Sequence, residues 1–95
     1  MNNIDRFDIE IMYNLYDNSM ISPLASLKIK DIISKCEDKS TYYTYVNRVK
    51  KLIGLEMIKE GFKSGNAKCY YITEKGINYL EKKVLSIEIG GNYNE

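Results

Sequence analysis

The sequence predicts a mainly α fold with one small β-hairpin, an α+β class, and three observations predict it. Four stretches place apolar residues at helical spacing, two short strand-like runs flank a glycine-containing loop, and 95 residues are enough for one core without a second lobe. The expectation is a single domain over residues 1–95.

The elements follow in order. Phe7, Ile11, Met12 and Leu15 form a helical stripe behind Asp5, a residue suited to an N-cap, so helix 1 is expected over 5–18. Turn chemistry follows up to Pro23, the chain's one proline, and residues 22–25 are expected to form a one-bridge strand. Leu27, Ile29, Ile32 and Ile33 suit a short helix 2 over 27–36, and the polar Glu37, Asp38 and Lys39 form the turn after it. Helix 3 is expected over 40–53, with Ser40 as cap and Gly54 as stop. Its Tyr42, Tyr45, Val49 and Leu52 fall on one face, which is read as core.

Residues 55–59 read as a strand, 61–67 as a loop and 68–72 as the returning strand, giving a hairpin over 55–72. Of the adjacent Tyr70 and Tyr71, strand alternation buries one and exposes the other. Thr73 then caps a last helix over 74–84 whose Ile77, Leu80 and Val84 point inward. The tail 85–95 alternates Leu85, Ile87 and Ile89, the pattern of a short strand that then frays.

Composition narrows the function classes. No apolar run is long enough for a membrane span, and the first residues lack the basic-then-apolar pattern of a secretory signal. Cys36 and Cys69 form no CxxC pair, and without histidine they make no metal site, so two reduced cysteines and a cytoplasmic location are expected. The sequence shows no phosphate-binding glycine loop and no catalytic constellation; an enzyme, a cofactor and a catalytic residue are therefore not expected.

The net charge of +1 conceals an asymmetry. Residues 1–38 hold four bases and seven acids, residues 39–68 seven bases and two acids, and residues 69–95 three bases and four acids. A middle of +5 between acidic ends points to a polyanion-facing surface.

The order helix, short strand, helix, turn, helix, hairpin, helix suggests a winged helix-turn-helix, and a family likeness accompanies it. Residues 26–83, with "VNRVKKL" at 46–52, "LEMIKEG" at 55–61, "KSGNAKCYYIT" at 63–73 and "TEKG" at 73–76, resemble the winged-helix domains of bacterial MarR- and PadR-like regulators. They also resemble the small TubR-like DNA-binding adaptors of tubulin-type plasmid and phage partition systems.

The resemblance implies that helix 3 enters the major groove and that the hairpin, or wing, reaches a neighbouring groove or phosphate. Asn47 and Arg48 can make bidentate contacts with adenine and guanine edges, and Thr41, Tyr43 and Thr44 can touch a thymine methyl or a phosphate. Lys39, Lys50, Lys51, Lys63 and Lys68 suit backbone neutralisation, with Ser40 at the helix start and Ser64 and Asn66 on the wing completing the candidate surface. For the lysines the competing reading is an ordinary solvated face.

One helix of this size reads few base pairs, so a homodimer on paired half-sites is expected, built from helix 1, the last helix and the tail. The first functional expectation is a transcriptional repressor acting on double-stranded DNA. The alternative is a segregation adaptor that binds centromere repeats and recruits a filament-forming NTPase, or a protein that marks a conjugation transfer origin. A third class is an interaction module that has lost DNA binding. Isoleucine, lysine, asparagine and tyrosine, whose codons are AT-rich, make up 43 of the 95 residues. That composition suits plasmid or phage DNA, and with the small size it fits the segregation class as well as the repressor.

Overall fold

Asp5 caps the first helix. Its carboxylate accepts the backbone N–H groups of Phe7 and Asp8, and Asp8 accepts the Asp5 N–H in return, a capping box that satisfies donors the first helical turn would otherwise leave bare. The helix it starts, α1, spans Arg6–Asp17. In the computed structural model of the protein the described residues are 4–37 and 40–93, excluding the side chains of Ser64 and of residues 84–93.

Among these residues the order continues with β1 (Leu27–Lys28), α2 (Ile29–Lys35), α3 (Tyr42–Gly54), β2 (Ile58–Ser64), β3 (Ala67–Ile72) and α4 (Glu74–Tyr93). The sheet is antiparallel in the order β1-β3-β2, with Leu27 opposite Tyr70 and Ile58 opposite Ile72. A helix, a strand, two further helices and a hairpin make this a winged helix of the α+β class.

The core lies where α1, α2 and α3 meet the sheet. Ile11, Met12 and Leu15 from α1, Ile32 from α2, Val49 and Leu52 from α3, and Ile58 and Ile72 from the hairpin are almost wholly buried. Leu80 joins from α4, which packs along α1.

Two helices end without glycine in the left-handed position. After α1, Ser19 takes φ 61°, and after α3, Glu56 takes φ 64°. In both places the next two N–H groups turn back onto the helix: Ser19 to Tyr16 and Met20 to Leu15, Glu56 to Ile53 and Met57 to Leu52. These are Schellman closures. Gly54, expected to stop helix 3, is instead its last helical residue. The left-handed residue after α3 is held by tertiary bonds: the Thr73 hydroxyl meets the Glu56 and Met57 carbonyl oxygens at 2.7 and 3.0 Å while accepting the Gly76 N–H at 3.0 Å. Thr73 thus caps α4 and pins it to the α3–β2 junction.

Several boundaries differ from the sequence expectation, each for a physical reason. Residues 27–28 pair with β3 instead of opening helix 2, because an edge partner satisfies their backbone; the Ser22–Ala25 bridge is present but isolated. The wing starts later than expected, at Ile58 and not at residue 55, while its strands reach further and its loop is shorter: β2 runs through Lys63 and Ser64, and only Gly65 and Asn66 connect the strands. Gly65 sits at φ 63°, the first central position of a two-residue hairpin turn, where glycine is the least strained choice. A bulge between Glu60 and Lys63 lets Gly61 pass against the Pro23 backbone and brings the Phe62 N–H to the Pro23 carbonyl.

The last helix does not stop at residue 84. It continues to Tyr93, because nothing between Val84 and Ile89 breaks it and Leu85, Ile87 and Ile89 find no strand to pair with; the expected short strand is not there. The side chains of Val84, Leu85, Ile87 and Ile89 lie outside the described residues.

Two glycines test this architecture in opposite directions. At Gly76 a Cβ would overlap the Met57 carbonyl and Ile72 Cγ1, whereas at Gly54 it would meet open space. Gly76→Ala is therefore expected to lower the unfolding free energy by about 1–3 kcal/mol. Gly54→Ala, in an ordinary helical conformation, is expected to raise it by about 0.4–1 kcal/mol. Urea titration followed by circular dichroism checks both signs.

Candidate nucleic-acid interface

Burial of Tyr45, Val49 and Leu52 sets the rotation of α3 and divides the rest of its surface into two stripes. Tyr43, Asn47 and Lys50, at i, i+4 and i+7, are exposed. Thr44, Arg48 and Lys51, one position further round, are half-buried, and Arg48 and Lys51 meet α1.

The start of α3 is one residue later than expected. Thr41, not Ser40, is the N-cap: its hydroxyl accepts the Thr44 N–H at 3.2 Å and lies 3.0 Å from the Thr44 hydroxyl. Tyr42, expected in the core, is 53% exposed. It is the first helical residue, so its turn projects beyond the α1–α2 packing, and burial along that stripe begins only at Tyr45.

The two residues expected to carry much of the positive charge of the reading face are held by α1. The Arg48 guanidinium lies 4.7 Å from the Phe7 ring centroid and 5.3 Å from that of Tyr45, stacked between aromatic faces. The Lys51 ammonium is 2.5 Å from the Asp8 carboxylate, which is completely buried.

On the wing, Lys63, Asn66 and Lys68 are exposed, and Lys68 approaches Glu60 at 3.4 Å in a solvent-screened pair. The backbone of Ser64 lies in β2; its side chain, like all of Lys39, lies outside the described residues.

A feature the sequence reading missed joins these parts. Lys28, Ile29 and Lys30 at the β1–α2 junction, Tyr42 at the head of α3, and Asn66, Ala67, Lys68 and Tyr70 of the wing line a cleft of about 420 Å³. Three of the lining residues are lysines and none is acidic. Burial first, then the Glu60 carboxylate, pushes the Tyr70 phenol above its usual range. Its hydroxyl therefore stays protonated and able to donate at neutral pH. The alternation of Leu27-Lys28-Ile29-Lys30 was the available signal, but it was absorbed into helix 2. No group of three His, Cys, Asp or Glu among the described residues is placed to hold a metal, and no helix among them is long and apolar enough to cross a membrane.

The fold has known counterparts. TubR from Bacillus megaterium pBM400 superposes with a TM-score of 0.75 at 18% identity, over 86% of this chain and 88% of that one. The chain has the TubR fold. The DNA-binding TubR fragment from Clostridium botulinum matches with a TM-score of 0.66 at 28% identity, over 84% of this chain and 96% of the fragment. AF1382 from Archaeoglobus fulgidus matches with a TM-score of 0.70 at 23% identity, over 90% and 89% of the two chains. No family model and no curated protein matches the sequence. The TubR likeness thus rests on three-dimensional structure.

The α1 terminus that engages α3 can itself be probed. Partial burial pulls the Asp5 carboxyl upward, but the hydrogen bonds from Asp8 and Phe7 and the Lys51 charge outweigh it and leave the pKa below its ordinary 3.8. A depressed carboxyl contributes stability that is complete above the unfolded value and is lost as pH falls through the folded one. Asp5→Ala is expected to cost about 0.5–2 kcal/mol at neutral pH. The gap between the two proteins should close as the pH is lowered below 3.8, measured by denaturant titration at a series of pH values.

Proposed function

We propose that this protein is a double-stranded-DNA-binding adaptor of DNA segregation that works as a homodimer on repeated sites and hands the DNA to a filament-forming NTPase. The observation that carries DNA binding is geometric. Tyr42, the first residue of α3 and the chain neighbour of Tyr43 in the exposed Tyr43, Asn47 and Lys50 stripe, lines a cleft together with Lys28, Lys30 and Lys68, so a cationic cleft adjoins the head of the helix that carries the base-reading groups. The structural likeness to two TubR proteins, one of them described as DNA-binding, favours segregation over the repressor role that the sequence first suggested.

On this reading Asn47 reads a base edge in the major groove, Tyr43 and Lys50 flank it, and the wing residues Lys63, Ser64 and Asn66 meet a neighbouring phosphate. Lys39 and Ser40 approach the backbone at the head of α3, where Thr41 and Thr44 are occupied with capping. The lysine cleft seats a backbone phosphate between α2 and the wing. Such contacts position the protein without reading sequence. No catalytic role is proposed for any residue.

The test is to select bound fragments from the source's own DNA at about 150 mM salt, where nonspecific phosphate binding is much weakened, and to sequence them. A cluster of tandem repeats beside a replication or partition locus is the expected result. A single inverted repeat over a promoter would make the protein a repressor, and no enrichment would leave an interaction module. Light scattering at micromolar concentration is expected to give a dimer mass. Replacing Lys28 and Lys30 together by Gln is expected to flatten the dependence of log affinity on log salt by about 0.9 per protomer, since the one phosphate seated in the cleft adds about −0.9 to the slope.

A further inference from the structure

Two successive residues of α1 hold two cations of α3. Phe7 stacks under Arg48 at 4.7 Å, and Asp8 receives Lys51 at 2.5 Å. A capping box needs only an acid at the third helical position, which is normally solvated. Here that acid is 0% exposed, and among the described residues its Oδ1 has no hydrogen-bond partner. Its Oδ2 serves both the Asp5 N–H and Lys51. Burial to this depth exceeds what the cap requires. Stability is a poor explanation for it, because desolvation offsets much of the attraction in a buried ion pair and an apolar pair often serves as well. What the pair does achieve is positional: it fixes where the Lys51 charge can be.

Resting on the DNA-binding reading above, we infer that Asp8 is a specificity-setting positioning residue: it holds Lys51 off the DNA backbone, on the side of α3 turned toward α1, and leaves Asn47 and Lys50 as the groups that face outward. The consequence concerns the balance between two kinds of binding. Each lysine that reaches a phosphate adds affinity for every sequence equally, which raises nonspecific binding without improving discrimination. With Lys51 held by Asp8 and Arg48 stacked on Phe7, the exposed stripe of α3 keeps one amide, one phenol and one ammonium. Its contacts are then weighted toward the base edge that Asn47 can read.

The first arm of the test needs no DNA and no variant. In limited acetylation of the folded protein followed by mass spectrometry, Lys51 is expected to react several-fold more slowly than the exposed Lys50 and Lys63. Equal rates would overturn the inference. The second arm measures affinity for random-sequence duplex between about 50 and 200 mM salt for the native protein, Asp8→Asn and Lys51→Gln.

Lys51→Gln keeps a donor for Asp8 and is expected to leave the salt dependence unchanged. Asp8→Asn is expected to bind random duplex more tightly at low salt and to lose about 3.5-fold more affinity per protomer across that range, the effect of one added phosphate contact. Its ratio of repeat to random affinity should fall. A flatter slope for Lys51→Gln would show that Lys51 already touches phosphate and would overturn the inference while leaving DNA binding intact. If the native protein binds no duplex at low salt, the functional reading fails and this inference fails with it. Should Asp8→Asn not fold, as judged by circular dichroism, the acetylation rates and Lys51→Gln decide the question.

Discussion

Burial of Tyr45, Val49 and Leu52 under α1 and α2 fixes the rotation of α3, and the surface chemistry follows from that rotation. A helix turns through about 100° per residue, so once three positions are committed to the core the remaining stripes have no freedom of their own. Asn47 faces out because its neighbours on either side, Val46 and Arg48, face the protein. The capping box at Asp5 belongs to the same constraint. By ordering the first turn of α1 it brings Phe7 and Asp8 to the two α3 cations, so a local hydrogen-bond motif at residue 5 influences what residues 47 and 50 present some forty positions later.

Much of this was legible in the sequence wherever the determining signal is local. The Asp5 cap, the apolar stripe of α3 and the Thr73 cap depend on residues within a turn or two of one another, and spacing reveals them. The strand alternation of Tyr70 and Tyr71 is local too and holds in part: Tyr70 is inside, but Tyr71 is half-buried and not exposed, and Cys69 beside Tyr70 is buried as well. The failures occur where a distant partner decides. Leu27 and Lys28 have helix-compatible neighbours and become a strand only because β3 offers an edge. Glu56 takes a left-handed conformation that its own side chain disfavours, held by the Thr73 hydroxyl from across the fold. Tyr42 lies on the core stripe of the helix but one turn beyond the core, where it lines the open cleft between α2 and the wing.

The candidate surface shows the same division more sharply. Counting charge along the chain assigned Lys28 and Lys30 to an acidic N-terminal third and Lys51 to a basic middle. Folding reverses both assignments. The antiparallel pairing of Lys28 with Cys69 carries the first two beside the wing, into a cleft without a carboxylate, while the N-terminus of α1 carries Asp8 onto Lys51. A surface potential is a property of spatial neighbours, and a linear charge count stands in for it only within elements short enough to lie on one side of the fold.

The resulting surface bears on the segregation proposal. The exposed stripe of α3 offers a single side chain, Asn47, with the bidentate geometry to read a base, and one such contact is worth about 1–3 kcal/mol of discrimination. Specific sites usually stand about 4–10 kcal/mol above nonspecific DNA, more than one protomer can supply through one amide. A protein built this way gains selectivity by multiplying weakly discriminating copies. An array of repeats does that directly, because each bound copy contributes its small preference and the array as a whole becomes distinct from the surrounding DNA. A repressor at an isolated operator has only its two half-sites to draw on, and would be better served by an α3 whose arginine reached the groove instead of lying on Phe7.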